Sequence, residues 1–365
     1  MERVNVVVIG GGVTGLASAI AVAERGSSVC VVERHPRPGL EASTHNSGVI
    51  HAGIYYPTDS LKARLCVDGR ERLYAFCEAH NVPHARCGKL IVAADTVEVR
   101  ILETLALQAK ANGVDDLEIV GRDFIRRREP HVEGVAALWS PSTGTIESET
   151  FVRALARKAV ELDVILLPGT RFEHGMPHES GFEVITSNER FLADTLVNAA
   201  GLYADDVSAT IGGEPLTIYP VRGEYAEIVP AKRQLVNGLV YPLPDPSGHG
   251  LGIHLTRTTW GNVTIGPTAR YLTAKDDHES NRVPVEGFHQ ATKRLIPSLK
   301  PVDFRLGGTG IRARMARSDE RFADFLVRPD CRYPRMIHAA GIDSPGLTAC
   351  LAIGVAVRDL VDDVL

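Results

Sequence analysis

Several features that would assign this sequence to a specialised class of protein are scarce or missing. Its 365 residues include only 6 cysteines. These form no Cys-x-x-Cys pair, and none lies near a histidine pair spaced for zinc. We therefore predict neither a metal site nor dithiol chemistry, and a reducing compartment fits this cysteine usage.

Long apolar runs and a strong charge are also missing. No uninterrupted apolar stretch reaches the roughly 18 residues that a membrane-spanning helix needs, and the short N-terminal run ends in glycines, unlike a signal peptide. The formal net charge of −5 gives no reason to expect nucleic acid as a partner. We expect a cytoplasmic protein without a membrane span, with contact to the inner-membrane surface left as an open alternative.

The start of the sequence contains a dinucleotide-binding pattern. Val4–Ile9 predicts a buried strand, and the six residues from Gly10 to Gly15 fit G-x-G-x-x-G. Residues 16–26 then have helical spacing, and residues 27–33 predict a second strand that ends in an acidic residue. Strand, glycine turn, helix, strand and acid in this order predict a nucleotide-binding βαβ unit, without choosing between FAD and NAD.

Each part of this unit has a physical task. Gly10 permits a tight turn, Gly12 lets the backbone approach a pyrophosphate, and Gly15 lets the helix pack closely on the strand. The helix N-terminus offers free N–H groups and a positive dipole end to phosphates. Glu33 can accept hydrogen bonds from both ribose hydroxyls and would repel a 2′-phosphate, although neighbouring Arg34 weakens that repulsion.

The rest of the chain alternates helical and strand patterns before it becomes rich in strands. Helices are predicted at 60–81, 95–112 and 148–163, with strands at 88–94 and 164–167. The segment TLVNAAG predicts a buried strand that runs into a ligand-binding turn. Residues 218–267 predict antiparallel strands, including 250–256, and residues 336–365 predict a strand, a glycine loop and a helix. This order predicts an α/β fold in which an antiparallel sheet interrupts the nucleotide domain.

Several segments resemble known flavoenzymes. GGGVTGLASA, VNAAGLYAD and GIDSPGLTACLAIG resemble the D-amino-acid oxidase-like (DAO) superfamily of FAD oxidoreductases. HNSGVIHAGIYY, SLKARLC, CGKLIVA, VRGEY, GIHLTR and VTIGP are similar to L-2-hydroxyglutarate dehydrogenases and oxidases. The resemblance covers most of the chain and keeps its order. This chain departs from the family near 270–305, where family members usually carry a longer helical insertion.

Other enzymes built on the same nucleotide scaffold fit less well. A disulfide reductase needs a redox Cys-x4-Cys pair soon after the first βαβ unit, and residues 34–60 contain no cysteine. A flavin hydroxylase carries a GDAAH-like motif where this chain has GIDSPG. A pure NAD dehydrogenase does not need the late glycine loop.

The resemblance implies an α/β fold with an α+β substrate layer. A Rossmann-like FAD-binding domain would comprise residues 1–85, 145–215 and 325–365. An interleaved antiparallel-sheet substrate domain would comprise 86–144 and 216–324.

The resemblance also implies an FAD site. FAD is expected to bind noncovalently, with His45 as an alternative attachment point. The loop from Thr44 to Gly48 would follow the isoalloxazine, with Asn46 and Ser47 bonding the ring edge, and the GIDSPGLT turn would face the pyrimidine end. The complete predicted set is Gly10, Gly12, Val13, Thr14, Gly15, Glu33, Arg34, Thr44, His45, Asn46, Ser47, Gly48, Ala200, Gly201, Gly310, Gly341, Gly346, Leu347 and Thr348.

The implied reaction is oxidation of a 2-hydroxy acid, L-2-hydroxyglutarate to 2-oxoglutarate, with hydride transfer to flavin N5. It needs a base, and a neutral histidine suits because its ordinary pKa is about 6.5. His51 is the first candidate and His254 the second. Arg312 completes the catalytic set by binding a carboxylate through its planar fork.

Further residues are expected to contact the substrate. Arg222 and Arg257 are additional carboxylate ligands, although a structural ion pair explains Arg222 equally well. Tyr55, Tyr56 and Tyr241 would close the pocket, with packing in the core as the alternative.

Two other functions stay open at this point. One is an FAD-dependent amine or amino-acid oxidase of the glycine oxidase or D-amino-acid oxidase type. The other is a flavoprotein that serves assembly or electron transfer without its own substrate. Oxygen, a quinone and a carrier protein all stay open as the electron acceptor.

Overall fold

The secondary structure was obtained from a computed structural model that describes residues 2–244 and 252–365. Its helices are α1 (Val13–Ala23), α2 (Leu61–Ala79), α3 (Thr96–Ala111), α4 (Arg122–Arg128), α5 (Ser148–Glu161), α6 (Ala204–Ile211), α7 (Val285–Thr292) and α8 (Gly346–Asp362). Its strands are β1 (Glu2–Ile9), β2 (Val29–Glu33), β3 (Val49–Ile50), β4 (His84–Ala85), β5 (Lys89–Ala93), β6 (Glu118–Gly121), β7 (Ala136–Ser140), β8 (Gly144–Ile146), β9 (Ile165–Pro168), β10 (Phe172–His178), β11 (Gly181–Thr186), β12 (Arg190–Asn198), β13 (Tyr219–Ile228), β14 (Leu239–Pro242), β15 (His254–Arg257), β16 (Val263–Gly266), β17 (Arg270–Tyr271), β18 (Phe304–Arg314), β19 (Leu326–Pro329) and β20 (Met336–Ala340).

The first large sheet is built on parallel strands in the order β20-β12-β1-β2-β9. The β10-β11 hairpin extends it antiparallel alongside β12, and β19 pairs antiparallel with β20. Strand β1 is buried on both faces, with Val6 and Val8 in one apolar core and Val7 and Ile9 in another. This explains why its sequence is a continuous β-branched run rather than an alternating pattern.

Helices α1, α2, α5 and α8 cover one face of this sheet, and they cross at small residues. A Cβ added to Gly354 of α8 would lie 2.5 Å from the carbonyl oxygen of Ala17 in α1. A Cβ added to Gly69 of α2 would lie 2.5 Å from the carbonyl oxygen of Thr348 in α8. The backbones therefore approach closely enough for α8 to hold the nucleotide unit and α2 together.

The second large sheet has the order β17-β13-β16-β15-β14-β5-β7-β6, with β18 paired to β13. All its pairs are antiparallel except β14 with β5. Strand β5 is again buried on both faces, with Leu90 and Val92 packed in the core that contains α7, and Ile91 and Ala93 in the core that contains α3. A Rossmann-like parallel sheet joined to an antiparallel layer confirms the predicted mixed α/β fold class.

A small sheet, β3-β8-β4, connects distant parts of the chain and fixes the segment that leads into His51. The strands of the two large sheets fall within the ranges predicted for the nucleotide and substrate domains. We propose that division as the domain boundary.

Helix boundaries follow local capping signals. Ser60 accepts a hydrogen bond from the Ala63 amide at the start of α2, and Asp95 accepts from the amides of Val97 and Glu98 at the start of α3. The Glu98 carboxylate accepts a hydrogen bond from the Ala94 amide, one residue before this cap. The predicted strand at 250–256 is seen from His254, and its residues 250 and 251 lie outside the described part.

The α1–α8 crossing leads to a stability prediction. Gly354→Ala should lower the free energy of unfolding by about 1–3 kcal/mol, because the new methyl group would overlap the backbone of α1. Gly308→Ala is the control, since this exposed glycine of β18 has no atom within 4 Å of an added Cβ. Denaturant unfolding of both variants measures the difference, and equal midpoints would contradict the predicted helix contact.

Candidate active site

A cavity of about 1400 Å³ is lined by residues of both large sheets. Gly10 and Val13 line it from the first sheet and its helix, while Tyr241, His254 and Arg312 line it from the second. The cavity is larger than the usual site for a drug-sized molecule, and it therefore has room for a dinucleotide together with a small substrate.

The glycine turn lines the part of the cavity that is predicted to hold the phosphates. Gly10 has φ +108°, and an added Cβ would lie 2.5 Å from the carbonyl oxygen of Ala199. An added Cβ at Gly12 would lie 2.9 Å from Ser43 Oγ, which accepts a hydrogen bond from the Val13 amide. Only a bare backbone fits here, beside the N-terminus of α1, and this geometry suits a pyrophosphate. Gly15 does not line the cavity; it permits helix–strand packing, because its Cβ would lie 1.9 Å from the Gly10 carbonyl oxygen.

Glu33, the predicted ribose ligand, lines the cavity at the end of β2. Its two carboxylate oxygens accept hydrogen bonds from the amides of Gly11, at 2.7 Å, and His35, at 2.8 Å. The guanidinium of Arg34 lies 3.8 Å from the centre of the Tyr203 ring and forms an ion pair with Glu41. Because the charge of Arg34 is engaged in this way, it does little to weaken the repulsion of a 2′-phosphate by Glu33.

Three residues of the loop 44–48, His45, Asn46 and Ser47, line the cavity, but the polar side chains of the loop mostly stabilise the loop itself. Asn46 Nδ2 donates to the carbonyl oxygens of Ala42 and Ser43, and Asn46 Oδ1 accepts from the Gly48 amide and Ser148 Oγ. The predicted bond from Asn46 to a flavin edge does not fit the structure, since both ends of the amide are already paired. Ser47 Oγ lies 3.3 Å from the hydroxyl of Tyr225, a cavity residue that the sequence reasoning missed.

Other predicted cofactor residues divide into lining and supporting groups. Thr14, His45, Ala200, Gly201, Gly310, Gly346 and Leu347 also line the cavity. Thr44, Gly48, Gly341 and Thr348 lie behind it. Gly48 has φ +61° and Gly341 has φ +65°, so both provide left-handed backbone.

Thr348 connects the start of α8 to the loop that carries His51. Its Oγ1 accepts a hydrogen bond from the His51 amide, at 3.0 Å, and donates to the carbonyl oxygen of Val49, at 3.3 Å. The residues just before α8, Ile342, Asp343 and Ser344, line the cavity as well. They belong to the GIDSPGLT turn that is predicted to face the flavin, but no individual role was predicted for their side chains.

The walls contain buried polar atoms that have no hydrogen-bond partner among the described residues. These atoms are His51 Nδ1, the hydroxyls of Tyr55 and Tyr56, and both ring nitrogens of His254. Buried polar groups are normally paired, so such a group of atoms is typical of a site that receives a polar ligand. The predicted residues His51, His254, Tyr55, Tyr56 and Tyr241 are thus brought together, with the His254 ring stacked 3.7 Å from that of Tyr241.

Burial sets the protonation of these side chains. Desolvation, aided by the nearby charge of Lys89, lowers the pKa of His51 to about 3. Burial, followed by the charges of Lys89, His51 and Arg312, lowers the pKa of His254 well below its ordinary value. Burial raises the pKa of Tyr55 and Tyr56 well above that of a free phenol. At neutral pH the imidazoles are therefore neutral and able to accept a proton, and the phenols are donors.

Arg312 is a cation of the cavity wall without an acidic partner. Both of its terminal nitrogens donate to the carbonyl oxygen of Thr268, at 3.2 Å, and no carboxylate of the described residues lies within 4.0 Å. Lys62 also lines the cavity, but its ammonium pairs with Asp343 at 2.6 Å. Arg312 is therefore better placed than Lys62 to bind an anion.

The predicted substrate roles of Arg222 and Arg257 do not fit the structure. Arg222 is fully buried and pairs with Glu224, at 3.0 Å, and Asp277, at 3.2 Å. Arg257 donates to the carbonyl oxygens of Arg233 and Val236. Neither lines the cavity, and both guanidinium groups are used in holding the fold.

Sequence reasoning also missed Lys89, which lies in the wall behind the cavity. It is 1% exposed, and its ammonium lies 4.6 Å from the ring centre of Tyr55 and 4.7 Å from that of Tyr241. Burial lowers the pKa of Lys89 to about 7. The segment CGKLIVA contributed to the family resemblance and to the strand predicted at 88–94, but its lysine received no role.

Three buried residues outside the cavity lining have ligand atoms spaced as in a metal site, but these atoms are already bonded to other side chains. Within the described residues, Glu214, Asp330 and His338 offer ligand atoms within 4.8 Å of one another. Arg328 binds both oxygens of Glu214 at 2.7 Å, and His338 Nε2 lies 2.9 Å from Asp330 Oδ2. Protein partners already use these atoms, and we assign the group a structural role.

Comparison with known proteins identifies the family. Residues 5–360 match the model of the DAO family, described as FAD dependent oxidoreductase. The chain belongs to this family. As predicted, it is therefore an FAD-dependent oxidoreductase, and the glycine turn and Glu33 form a cradle that fits the dinucleotide of FAD.

Individual relatives and solved structures are similar to nearly the whole chain. An L-2-hydroxyglutarate dehydrogenase of Indibacter alkaliphilus is 31% identical over 96% of both chains, and one of Escherichia coli K12 is 29% identical over 98% of this chain and 93% of its own. The structure of L-alpha-glycerophosphate oxidase from Mycoplasma pneumoniae with FAD bound is 27% identical, with a TM-score of 0.91 over 99% of this chain and 95% of its own. Glycine oxidase from Geobacillus kaustophilus, 22% identical with a TM-score of 0.84 over 100% of this chain and 95% of its own, shares the fold. Among the described residues, no helix has both the length and the apolar character needed to cross a membrane.

Proposed function

We propose that this protein oxidises a 2-hydroxy acid at its carbinol carbon, with L-2-hydroxyglutarate as substrate and 2-oxoglutarate as product. The observation that carries this proposal is the presence, in one cavity, of two neutral histidines, the half-buried His51 and the buried His254, together with the unpaired cation Arg312. The relatives named L-2-hydroxyglutarate dehydrogenase support it, because they align with nearly the whole chain.

The chemistry divides between cofactor and protein. Bound FAD supplies the acceptor for the hydride of the carbinol carbon. His51 accepts the hydroxyl proton at Nε2, which lies 3.5 Å from the cavity residue Ser344. The Thr348 bond to the His51 amide holds this histidine against α8, and His254 is the second candidate for the base.

Anion binding would orient the substrate for this proton transfer. Arg312 can bind one carboxylate through its planar fork, which is oriented by the carbonyl oxygen of Thr268. The unpaired hydroxyls of Tyr55 and Tyr56 can donate to the second carboxylate, because burial keeps both phenols protonated. A dicarboxylate would thus use all these groups at once.

Two alternatives share the scaffold. A glycerophosphate substrate is favoured by the TM-score of 0.91 to the glycerophosphate oxidase structure, and it would also present a secondary alcohol and an anion. An amine or amino-acid oxidase needs no base for a hydroxyl proton, since hydride leaves a neutral amine. The two neutral histidines favour an alcohol over an amine.

An anaerobic substrate screen tests the proposed function. Mixing the yellow holoenzyme with L-2-hydroxyglutarate without oxygen should bleach the flavin absorbance, whereas D-2-hydroxyglutarate, L-glycerol 3-phosphate, glycine and D-amino acids should bleach it far more slowly. Faster bleaching by glycerol 3-phosphate or by an amine would replace the proposal with the corresponding alternative. Absence of bleaching by every compound would favour a flavoprotein without its own substrate.

The assignment of the base is tested by His51→Gln. Removal of a general base lowers the rate of flavin reduction by about 10²–10⁴-fold, and we expect a loss in this range. His254→Gln should cost less, and the exposed His174→Gln is the control for loss of a histidine elsewhere. Stopped-flow absorbance measures the rate at saturating substrate. A rate for His51→Gln within a few-fold of the wild type would exclude His51 as the base.

The assignment of the carboxylate ligand is tested by Arg312→Met. Truncating one partner of a buried charged pair costs about 2–5 kcal/mol, so the dissociation constant of the substrate should rise by at least about 30-fold. The control is Arg305→Met. It removes an exposed arginine that lies on β18, like Arg312, and is paired with Glu227 of β13. The dependence of the flavin reduction rate on substrate concentration gives the dissociation constant for each variant. If Arg312→Met binds substrate as tightly as Arg305→Met, the carboxylate lies elsewhere.

A further inference from the structure

Lys89 combines deep burial with a lack of acidic partners. It begins β5 and lies on the same face of that strand as Ile91 and Ala93, toward the core that contains Tyr241. No carboxylate of residues 2–244 or 252–365 lies within 4.0 Å of its ammonium. Lysine is almost never fully buried unless it is paired, so this position calls for an explanation beyond packing.

Two aromatic rings of the cavity wall hold the ammonium group. Tyr55 and Tyr241 face it at 4.6 and 4.7 Å from their ring centres, distances typical of cation–π contacts. The Tyr241 ring also stacks on His254 at 3.7 Å with an angle of 12° between the planes. Lys89, Tyr241 and His254 therefore form a continuous series of contacts from the buried ammonium to the cavity.

The other ionisable groups near Lys89 leave its charge without compensation. Burial raises the pKa of the Cys66 thiol, on α2, to about 12, and raises the pKa of Tyr241 beyond that of a free phenol, so both are neutral at physiological pH. Lys89 acts on His51, and Lys89, His51 and Arg312 act on His254. The nearby carboxylate of Asp343 acts on Tyr56 and is paired with Lys62 at 2.6 Å. Within the described part of the chain, no acidic group acts on either histidine, so the charges that do act on them oppose protonation of the rings.

We propose that Lys89 is a positioning residue for the proposed reaction: from behind the cavity its ammonium fixes the rings of Tyr55 and Tyr241 and adds to burial in keeping His51 and His254 unprotonated, so that the base can accept the substrate proton. The role rests on the proposed function, since only a substrate with an ionising hydroxyl needs such a base. Lys89 does not line the cavity, so it would act through Tyr55, Tyr241 and the histidines and not on the substrate itself.

The order of proton affinities supports this role. Burial lowers the pKa of Lys89 to about 7 and that of His51 to about 3, so the first proton to enter the group resides on the lysine. Below neutral pH the ammonium is charged and opposes a second proton on the histidines. Removal of this charge must therefore raise the pKa of His51 and His254. A base works only above its pKa, so the acidic limb of the rate profile must move to higher pH.

The experiment compares Lys89→Met with Lys89→Arg in the FAD-loaded enzyme. Methionine has a similar length without the charge, and replacing an unpaired buried ion by an apolar side chain is compatible with folding. The pH dependence of flavin reduction is measured with whichever compound bleaches the flavin. In Lys89→Met the midpoint of the acidic limb should rise by about one pH unit or more, whereas Lys89→Arg should keep the wild-type midpoint. The exposed Lys293→Met, with the same change in net charge, should also keep it.

A second measurement is independent of any substrate. NMR titration of isotope-labelled histidines in the FAD-loaded enzyme reports the pKa of each ring, with the signals assigned through His51→Gln and His254→Gln. In the wild type both rings should stay neutral down to about pH 5.5, well below the ordinary histidine midpoint of about 6.5. In Lys89→Met at least one should become protonated at a higher pH than in the wild type.

The outcomes separate this proposal from the proposed function. If no hydroxy acid bleaches the flavin, the proposed function fails, but the histidine titration still decides whether Lys89 controls the two rings. Wild-type rings that titrate near the ordinary value would overturn the proposal, and this arm needs no variant that might misfold. Unchanged histidine pKa values and an unchanged rate profile in Lys89→Met would overturn it as well, leaving Lys89 a packing residue.

Discussion

Desolvation of basic side chains at the junction of the two sheets is the constraint on which the rest of this site depends. His51 and His254 lie in a wall where burial, more than any neighbouring charge, favours their neutral forms. Neutral imidazole is the form that accepts a proton, and protonated phenol is the form that donates a hydrogen bond. The same burial therefore prepares both a base and a set of donors, without an acidic partner for either.

The second requirement is that these groups stay close to the dinucleotide. Helix α8 provides this connection, because it packs against α1 through Gly354 and against α2 through Gly69. At the N-terminal end of α8, Thr348 accepts a hydrogen bond from the His51 amide. The candidate base is therefore attached to a helix that begins at the cavity. A change in the α1–α8 contact would thus alter the glycine turn and the His51 loop together. Packing far from the cavity is in this way linked to the geometry of the reaction.

Local patterns predicted much of the fold and the dinucleotide cradle. The β-branched run of β1, the glycine turn, Glu33 and the caps of α2 and α3 depend on residues that are neighbours in sequence, so they can be inferred without tertiary contacts. Partners at long range could not be inferred. The side chain of Asn46 is bonded in part by Ser148, and the tyrosines that hold Lys89 come from a loop and from β14. A lysine at the start of a strand gives no signal that both rings will enclose it.

Arg222 of β13 and Arg312 of β18 show how strand geometry can improve the prediction of substrate-binding residues. Side chains alternate between faces along a strand, and residues directly opposite each other in a pair share a face. Arg312 lies opposite Val221, a cavity residue, so its guanidinium is on the cavity face. Arg222 and Glu224 lie on the other face, two residues apart, where they form an ion pair. In VRGEY, the alternation of charged residues with Val221, Gly223 and Tyr225 already contained this division. The sequence could therefore have favoured the structural role of Arg222, and the pairing with β18 then places Arg312 on the cavity face, where we propose that it binds the substrate.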